Sequence, residues 1–368
     1  MSLDSDKPLN YYKYGDLNKA LFYIEKNGTL IQQPRGLLVS YPSQYGLQGK
    51  VFRHLSHFLD SDYYIEDLEL LCCVLTGAVF CFLIFMIRVK YDLLFAVCFG
   101  VTALLSPWIV NFAGSEYWVE FTWFFPMLIG LICSVWINNL WIRRLCYIGA
   151  YVSILGKSLC GYEYVSAVML GLIAFLLIDL GTALTSRNKK YALQLFKTIF
   201  ILGCLALAGF ATAICIHASL RGEGNILAGI KSIIESDVLR RVGGGDLNNF
   251  AEAYWPSLNA SGWDVVKKYF HFETDIIAGL DANLFPILFL APIIIFIYDY
   301  WKKRFESKEV YMYIVFFITG MSWIILGKSH SYIHTHLNFV MWYFGFVQCC
   351  IYIIIKHINV FYTGKRYS

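Results

Sequence analysis

The chain has 368 residues, of which 58% are hydrophobic and only 15% are charged, and its formal net charge is +4. Soluble domains average about 45–50% apolar and about 25% charged residues, so this composition excludes an ordinary soluble protein and indicates an integral membrane protein. The small net charge gives no indication of a nucleic-acid partner, and in membrane proteins the placement of Lys and Arg matters more than their sum.

Residues 1–68 are the first predicted segment, a polar stretch with no apolar run long enough to cross a bilayer. In YYKYGDLNKALFYIEKNG the apolar residues fall on one face of a helix that begins near Asp16. The stretch YPSQYGLQGKVFRHLSHFL predicts a turn and a second interfacial helix. Asp16 has two interpretations at this stage, an N-cap or first-turn acid of an interfacial helix or a functional carboxylate.

Apolar segments of membrane-crossing length follow this region. They lie at 69–88, 91–112, 117–138, 163–185, 195–217, 283–300, 309–327 and 337–356. One more segment, 145–156, is short and lies between Arg144 and Lys157. If it crosses, the basic clusters of the short loops all fall on one face, as the positive-inside rule requires. The sequence therefore predicts an all-α polytopic membrane helix bundle of about nine transmembrane helices, with a cytoplasmic C-terminus.

The same topology divides the chain into four parts. An external juxtamembrane loop with amphipathic helices (1–68) precedes a first block of transmembrane helices (69–218). A large external loop (219–282) then leads to a second block (283–368). A long polar segment cannot easily be translocated with no hydrophobic segment before it. We therefore expect a tenth, earlier transmembrane helix in the full-length parent, and an upstream coding sequence without an apolar run would contradict this expectation.

The segment GSEYWVEFTWFFP places two carboxylates, Glu116 and Glu120, one helical turn apart beside Trp118. Aromatic residues at the end of a span are the usual interfacial belt, so Trp118 requires no further role. A carboxylate one turn into the membrane is costly and more often functional, so Glu120, together with its neighbours Glu116 and Trp118, is a candidate substrate-binding residue.

The segment GKSLCGYEYV follows the short run 145–156 and contains Lys157, Tyr162 and Glu163. Because the run is short, Lys157 and Glu163 are expected at or below the outer interface, facing the bundle. They could pair with each other or line a cavity for an anionic headgroup. We favour the cavity, since span length is given up to place them there.

The segment GKSHSYIHTHLN brings Lys328 and three histidines, His330, His334 and His336, into one short loop. His330 and His334 have an i,i+4 spacing that could hold a metal on a helix, but no HExxH pattern and no adjacent acid accompany them. A basic, imidazole-rich pocket for phosphate is the preferred interpretation. No cofactor is firmly predicted, and a divalent metal ion stays an open alternative.

Several of these segments resemble GT-C membrane glycosyltransferases. YGDLNKALFYIEKNG followed by YPSQYGLQG resembles the first external loop of that superfamily. EYW, GKSLCGYEY and GKSHSYIHTHLN are similar to segments of its bacterial members. The resemblance implies an enzyme of the bacterial inner membrane that performs an inverting sugar transfer at the external face. The donor would be a polyprenyl-phosphate-linked sugar and the acceptor a glycan or lipid.

The resemblance also implies roles for the candidate residues. Asp16 would be the general base that takes the proton of the acceptor hydroxyl. The phosphate-clamp candidates, from their chemistry and their side of the membrane, are Lys157, Lys328, His330 and His334. The acids Glu116, Glu120 and Glu163 would orient sugars or hold a metal.

Other functions are compatible with the composition. A transporter for a lipid-linked glycan would need a polar path to both faces, and few charges are expected in the inner half. A lipid-linked glycan polymerase, a ligase or an acyltransferase at the same face is a second alternative. Polymerases and ligases of that kind use external arginines, which are available at Arg35, Arg53, Arg221, Arg240 and Arg241. A noncatalytic membrane subunit would tolerate substitution of Asp16 and the histidines.

Overall fold

The computed structural model describes residues 43–56, 58, 64–244, 246–270, 272 and 274–363. These residues form helices and loops, with one isolated bridge between Ile277 and Leu280 and no β-strand among them. Asp16 and the helix predicted to begin there lie outside the described residues.

The helices of the first half include the second interfacial helix predicted from the sequence. In chain order they are α1 (Leu47–Ser56), α2 (Tyr64–Lys90), α3 (Leu93–Leu105), α4 (Pro107–Ala113), α5 (Phe121–Val135), α6 (Leu140–Cys160), α7 (Val165–Thr185) and α8 (Lys189–Arg221). Side-chain caps begin several of them: the Asp92 carboxylate accepts from the backbone N–H of Phe95 at the start of α3.

The helices of the second half are shorter where the chain leaves the bundle. They are α9 (Ile226–Ile233), α10 (Leu239–Val242), α11 (Trp255–Asn259), α12 (Gly262–Lys268), α13 (Phe285–Trp301), α14 (Ser307–Leu326), α15 (Lys328–Ile333), α16 (Thr335–Asn338) and α17 (Phe346–Thr363). A π-helical turn, Ile234–Val238, joins α9 to α10. The predicted loop 219–282 is thus largely a set of short helices.

Five helices are long and apolar enough to cross a membrane, or seven if each of two bent helix pairs is one span. The five are Glu66–Lys90, Val165–Thr185, Lys189–Arg221, Ala282–Trp301 and Ser307–Leu326. The bent pairs are α3 with α4, at 65°, and the segment from α16 to Tyr343 with α17, at 50°. The chain is therefore an all-helical integral membrane protein. The count of nine spans is not confirmed, because α5 has only 15 residues and α6 is not among the helices that qualify.

Helix α7 lies at the centre of the bundle, with Leu172 and Phe175 fully buried against α5 and α14. The closest approach is made at Gly130 of α5, where a Cβ atom would lie 1.6 Å from the carbonyl oxygen of Leu172. Gly209 of α8 also packs closely against α6: a Cβ atom at this position would lie 2.6 Å from the carbonyl oxygen of Tyr151. Such small residues allow helix backbones to approach closely in membrane bundles.

Charged residues are clustered at both ends of the bundle. We call the end that holds residues 113–121, 160–165, 221–285 and 326–346 the loop end. At the other end, acids are paired with bases: Lys90 lies 2.7 Å from Asp179, and Lys356 lies 2.5 Å from Glu309. His357 is 2.7 Å from Asp299 at the same end. The sequence candidates for function that the structure describes all lie at the loop end.

Helix α8 extends towards the loop end. Its 33 residues span about 50 Å at about 1.5 Å per residue, whereas the hydrocarbon core of a bilayer is about 30 Å thick. Its last residue, Arg221, is therefore carried to the loop end. Helix α9 folds back on it so closely that a Cβ at Gly229 would lie 1.9 Å from the carbonyl oxygen of Ala218.

Candidate functional site

Asp237 is the centre of a buried group of charges at the loop end. Its carboxylate contacts Nη1 of Arg221, lies 3.3 Å from Nη1 of Arg241 and 3.6 Å from Nη2 of Arg240, and accepts a 2.5 Å hydrogen bond from Ser43. Burial opposes ionisation of this carboxyl, but the nearby guanidinium groups and Ser43 hold its pKa below the ordinary value. Asp237 is therefore a carboxylate that positions three arginines.

Glu163 joins this group from another part of the chain. Its Oε1 lies 3.4 Å from Nη2 of Arg241, and both of its oxygens lie 3.3 Å from the amide nitrogen of Gln44. The same amide donates to the hydroxyl of Tyr117 at 2.8 Å, which places the segment that carries Glu116 beside Glu163. We call the five residues Glu163, Arg221, Asp237, Arg240 and Arg241 the arginine cluster.

The local sequence explains part of the arginine cluster. In ESDVLRR, Arg240 and Arg241 follow Asp237 by three and four residues, the spacings that bring side chains together on one helix face. The π-helical turn at Ile234–Val238 ends directly before α10, and such turns often accompany functional sites.

The histidines predicted from the sequence lie next to the arginine cluster. The ring centroids of His330 and His334 are 4.6 Å apart, and those of His334 and His336 are 5.8 Å apart. Burial lowers the pKa of His330 well below its ordinary value, and the charges of Arg241 and Arg240 lower it further. The pKa of His334 is lowered by burial and by His336. The lowered pKa values favour the neutral form of both imidazoles.

An apolar cavity of about 180 Å³ extends from the arginine cluster between α7, α8 and α14. On α8, Phe210 and Ile214 line the cavity, while His217 and Arg221 continue the same helix stripe at i+7 and i+11 from Phe210. The Nδ1 atom of His217 is 2.9 Å from the hydroxyl of Tyr162. The helix face therefore changes from apolar to polar towards the loop end.

The two predicted lysines are held by backbone carbonyls. Lys157 is 2% exposed, and its ammonium donates to the carbonyl oxygen of Gly161 at 2.6 Å. Lys328 donates to the carbonyl oxygens of Leu258 and Ala260, at 3.0 and 2.7 Å. Glu163 has its ion pair with Arg241 rather than with Lys157. Both lysines thus stabilise the loops around the arginine cluster.

Glu116, Trp118 and Glu120 lie in a layer of aromatic rings. The rings of Trp118 and Tyr164 are stacked, with centroids 6.2 Å apart. Burial raises the pKa of Glu116 to about 7. Glu120 is fully buried, and neither of its carboxyl oxygens has a hydrogen-bond partner among the residues that the structure describes. An isolated buried carboxylate is so costly that the neutral acid is the expected form of Glu120.

No metal centre is formed by the described part of the chain, because no three or more His, Cys, Asp or Glu side chains there are arranged to hold an ion. The histidine pair His330 and His334 has no third ligand within those residues. The role of Asp16 as a base stays a prediction, since that residue lies outside the described ranges.

The structure brings together Glu163, His330 and His334 as candidates, and adds residues that the sequence did not select. Asp237 was not selected, and Arg221, Arg240 and Arg241 were considered only for the polymerase or ligase alternative. Comparisons with protein-family models, with curated proteins and with solved structures find no match. The function therefore has to be argued from the geometry of this chain.

Proposed function

We propose that the chain is a membrane glycosyltransferase that moves a sugar from a polyprenyl-phosphate donor to an acceptor glycan or lipid at the external face, in a bacterial inner membrane. The observation that carries the proposal is the apolar cavity between α7, α8 and α14, which ends at Arg241 and Asp237. A polyprenyl phosphate has a matching arrangement, because its long apolar chain ends in an anionic phosphate.

The arginine cluster supplies the groups that a phosphate requires. Among the described residues it combines three guanidinium groups with two carboxylates, so positive charge is in excess. Guanidinium groups bind phosphate oxygens through two parallel hydrogen bonds, which lysine cannot do. The neutral imidazole of His330 beside them can donate a further hydrogen bond. We therefore assign the phosphate-binding role to Arg221, Arg240 and Arg241. The sequence had suggested Lys157 and Lys328 for this role.

The proposed reaction needs one proton transfer and one leaving group. The acceptor hydroxyl attacks the anomeric carbon, a new C–O bond forms, and the bond to the phosphate oxygen breaks with its electron pair left on the lipid phosphate. A carboxylate base takes the hydroxyl proton, and the GT-C resemblance assigns this step to Asp16. The sugar-orienting role that the resemblance implies for Glu116 and Glu120 stays a prediction, and both side chains are buried.

The test of the proposal is sugar transfer by Asp16→Asn. Using a radiolabelled polyprenyl-phosphate sugar and purified chain in lipid nanodiscs, we expect transfer to fall at least about 100-fold, the lower range for loss of a general base. Asp6→Asn, in the same segment, is the matched control and is expected to keep activity. Near wild-type transfer by a monodisperse Asp16→Asn protein would reject the base assignment.

A lipid-linked glycan polymerase or ligase is the second candidate, and the arginine cluster is the observation that favours it. Three arginines at one site suit a diphosphate leaving group, which carries more negative charge than a monophosphate. The two functions differ in donor and product. Transfer of single sugars from a monophosphate donor supports the first, whereas transfer of whole oligosaccharides from a lipid diphosphate supports the second.

A further inference from the structure

A cleft of about 730 Å³ lies at the loop end between α4, α12 and α16, and none of the residues of the arginine cluster lines it. Its volume is within the range of about 300–1,000 Å³ that is common for ligand sites. Three aromatic rings form its floor: the centroids of Phe272 and Phe339 are 3.9 Å apart, and those of Trp108 and Phe339 are 5.3 Å apart. Each ring is at most 8% exposed, so the rings are packed against one another below the cleft.

The rim of the cleft is basic and rich in hydrogen-bonding groups. Its polar lining residues are Asn111, Lys267, Lys268, Thr274, Thr335 and His336. Of the described residues that line the cleft, none is acidic. Hydroxyl and amide groups match the hydroxyls of a sugar, and lysines match a negatively charged substituent.

The cleft adjoins the arginine cluster through the histidines. His336 lines the cleft and lies 5.8 Å, between ring centroids, from His334, which is 4.6 Å from His330. His330 lies close enough to Arg241 for the guanidinium charge to lower the pKa of the imidazole. A chain bound in the cleft could thus extend one end towards the proposed donor phosphate.

We infer that the cleft binds an anionic saccharide, which is the acceptor of the transfer. The role of this saccharide as the acceptor rests on the proposed function. Its binding in the cleft does not, because binding can be measured without a donor. Lys267 is the residue to test: it is exposed at the rim. Lys268 is unsuitable because its ammonium lies over the ring of Tyr332, at 3.5 Å, and has a structural contact there.

The probe pair is trigalacturonate and its neutral trimethyl ester, titrated calorimetrically against the full chain in nanodiscs of neutral lipid. We expect the triacid to bind and the ester to bind at least about tenfold more weakly, since loss of a charge-assisted hydrogen bond corresponds to about one order of magnitude. Lys267→Gln should weaken triacid binding by a similar factor. Lys231→Gln removes an exposed lysine of the same loop region outside the cleft and should change nothing.

Two results would overturn the inference: equal affinity for the triacid and the ester, or no binding of either at about 1 mM, the weak end of specific affinities. Equal loss of triacid binding in Lys267→Gln and Lys231→Gln would also overturn it, since it would show a general charge effect.

A parallel titration with a polyprenyl phosphate separates this inference from the proposed function. Binding of the triacid but not of the lipid removes the glycosyltransferase proposal and leaves the cleft, and the opposite result removes only the cleft.

Discussion

Arg241 and Glu163 form an ion pair of 3.4 Å across 78 residues of sequence, and both side chains are more than nine-tenths buried. The pair joins α10, in the segment that follows α8, to the beginning of the central helix α7. Removing one member of a buried pair leaves the other charge without full compensation. Arg241, which would bind the donor phosphate in the proposed function, therefore also stabilises the loop end through its ion pair with Glu163.

The first prediction compares this buried pair with an exposed one. Glu163→Gln is expected to lower the free energy of unfolding by about 2 kcal/mol, the size of a hydrogen bond to a charged group, because Asp237 still compensates Arg241. Glu235→Gln removes the acid of the exposed pair with Lys231, 3.9 Å apart, and is expected to cost less than about 1 kcal/mol. The midpoint of thermal unfolding in detergent measures both. Equal midpoints would contradict a structural role for the buried pair.

The second prediction concerns the apolar cavity. Ile214→Trp places a larger side chain on the wall between α8 and α14 and should exclude a long prenyl chain. Binding of a C55 polyprenyl phosphate is expected to weaken at least about tenfold, whereas binding of a C10 prenyl phosphate, measured by native mass spectrometry, changes less. Ile287→Trp is the matched control, because Ile287 is 62% exposed on α13. An unchanged affinity of the Ile214→Trp protein for the C55 lipid would place the lipid elsewhere.

Much of the fold could be predicted from the sequence, because apolar segments and their length are local properties. The runs 163–185, 195–217 and 309–327 coincide with α7, α8 and α14. The nine-span count could not be settled in this way. Whether a short helix such as α5 crosses depends on its neighbours, and hydrophobicity alone does not contain that information.

The site could be predicted only in part, because its contacts are long-range. Glu163 and His330 were selected from the sequence by their chemistry. In the structure both lie near Arg241, which pairs with Glu163 and lowers the pKa of His330. A pair between Lys157 and Glu163, six residues away, was the alternative to a cavity for an anionic headgroup, but the carboxylate is bound by Arg241 and the ammonium by the carbonyl of Gly161. The local signal that could have identified the arginines is the i,i+3 and i,i+4 spacing from Asp237 to Arg240 and Arg241.

The third prediction tests helix packing in the bundle. Gly130→Ala should destabilise the protein strongly, by more than about 3 kcal/mol, because a Cβ would lie 1.6 Å from the carbonyl oxygen of Leu172 and α5 and α7 would have to separate. Gly203→Ala is the control, since no heavy atom lies within 4 Å of its Cβ position. The alanine there should leave stability unchanged or raise it by up to about 1 kcal/mol. Thermal unfolding followed by size-exclusion chromatography compares the two, and similar losses would refute the close contact.

The fourth prediction is a pH dependence from Glu116. Burial, with a smaller contribution from the charge of Glu69, raises the pKa of Glu116 from 4.5 to about 7, while a backbone hydrogen bond opposes the shift. Because the folded state holds the proton more tightly, the stabilisation is fully present below pH 4.5 and is lost as the pH rises towards about 7. Glu116→Gln cannot ionise, so it should gain stability relative to the wild type over this window.

The measurement is the difference between the unfolding midpoints of Glu116→Gln and the wild type, taken between about pH 5 and about pH 8. His330 and His334 act in the opposite direction, because their lowered pKa values remove stability as the pH falls below 6.5. Both histidines are present in the two proteins, so their effects cancel in the difference. Glu66→Gln, at an exposed position of α2, is the control and should give a flat difference. A flat difference for Glu116→Gln as well would show that Glu116 is ionised in the folded protein throughout, and that its carboxylate has a partner which neutralises the cost of burial.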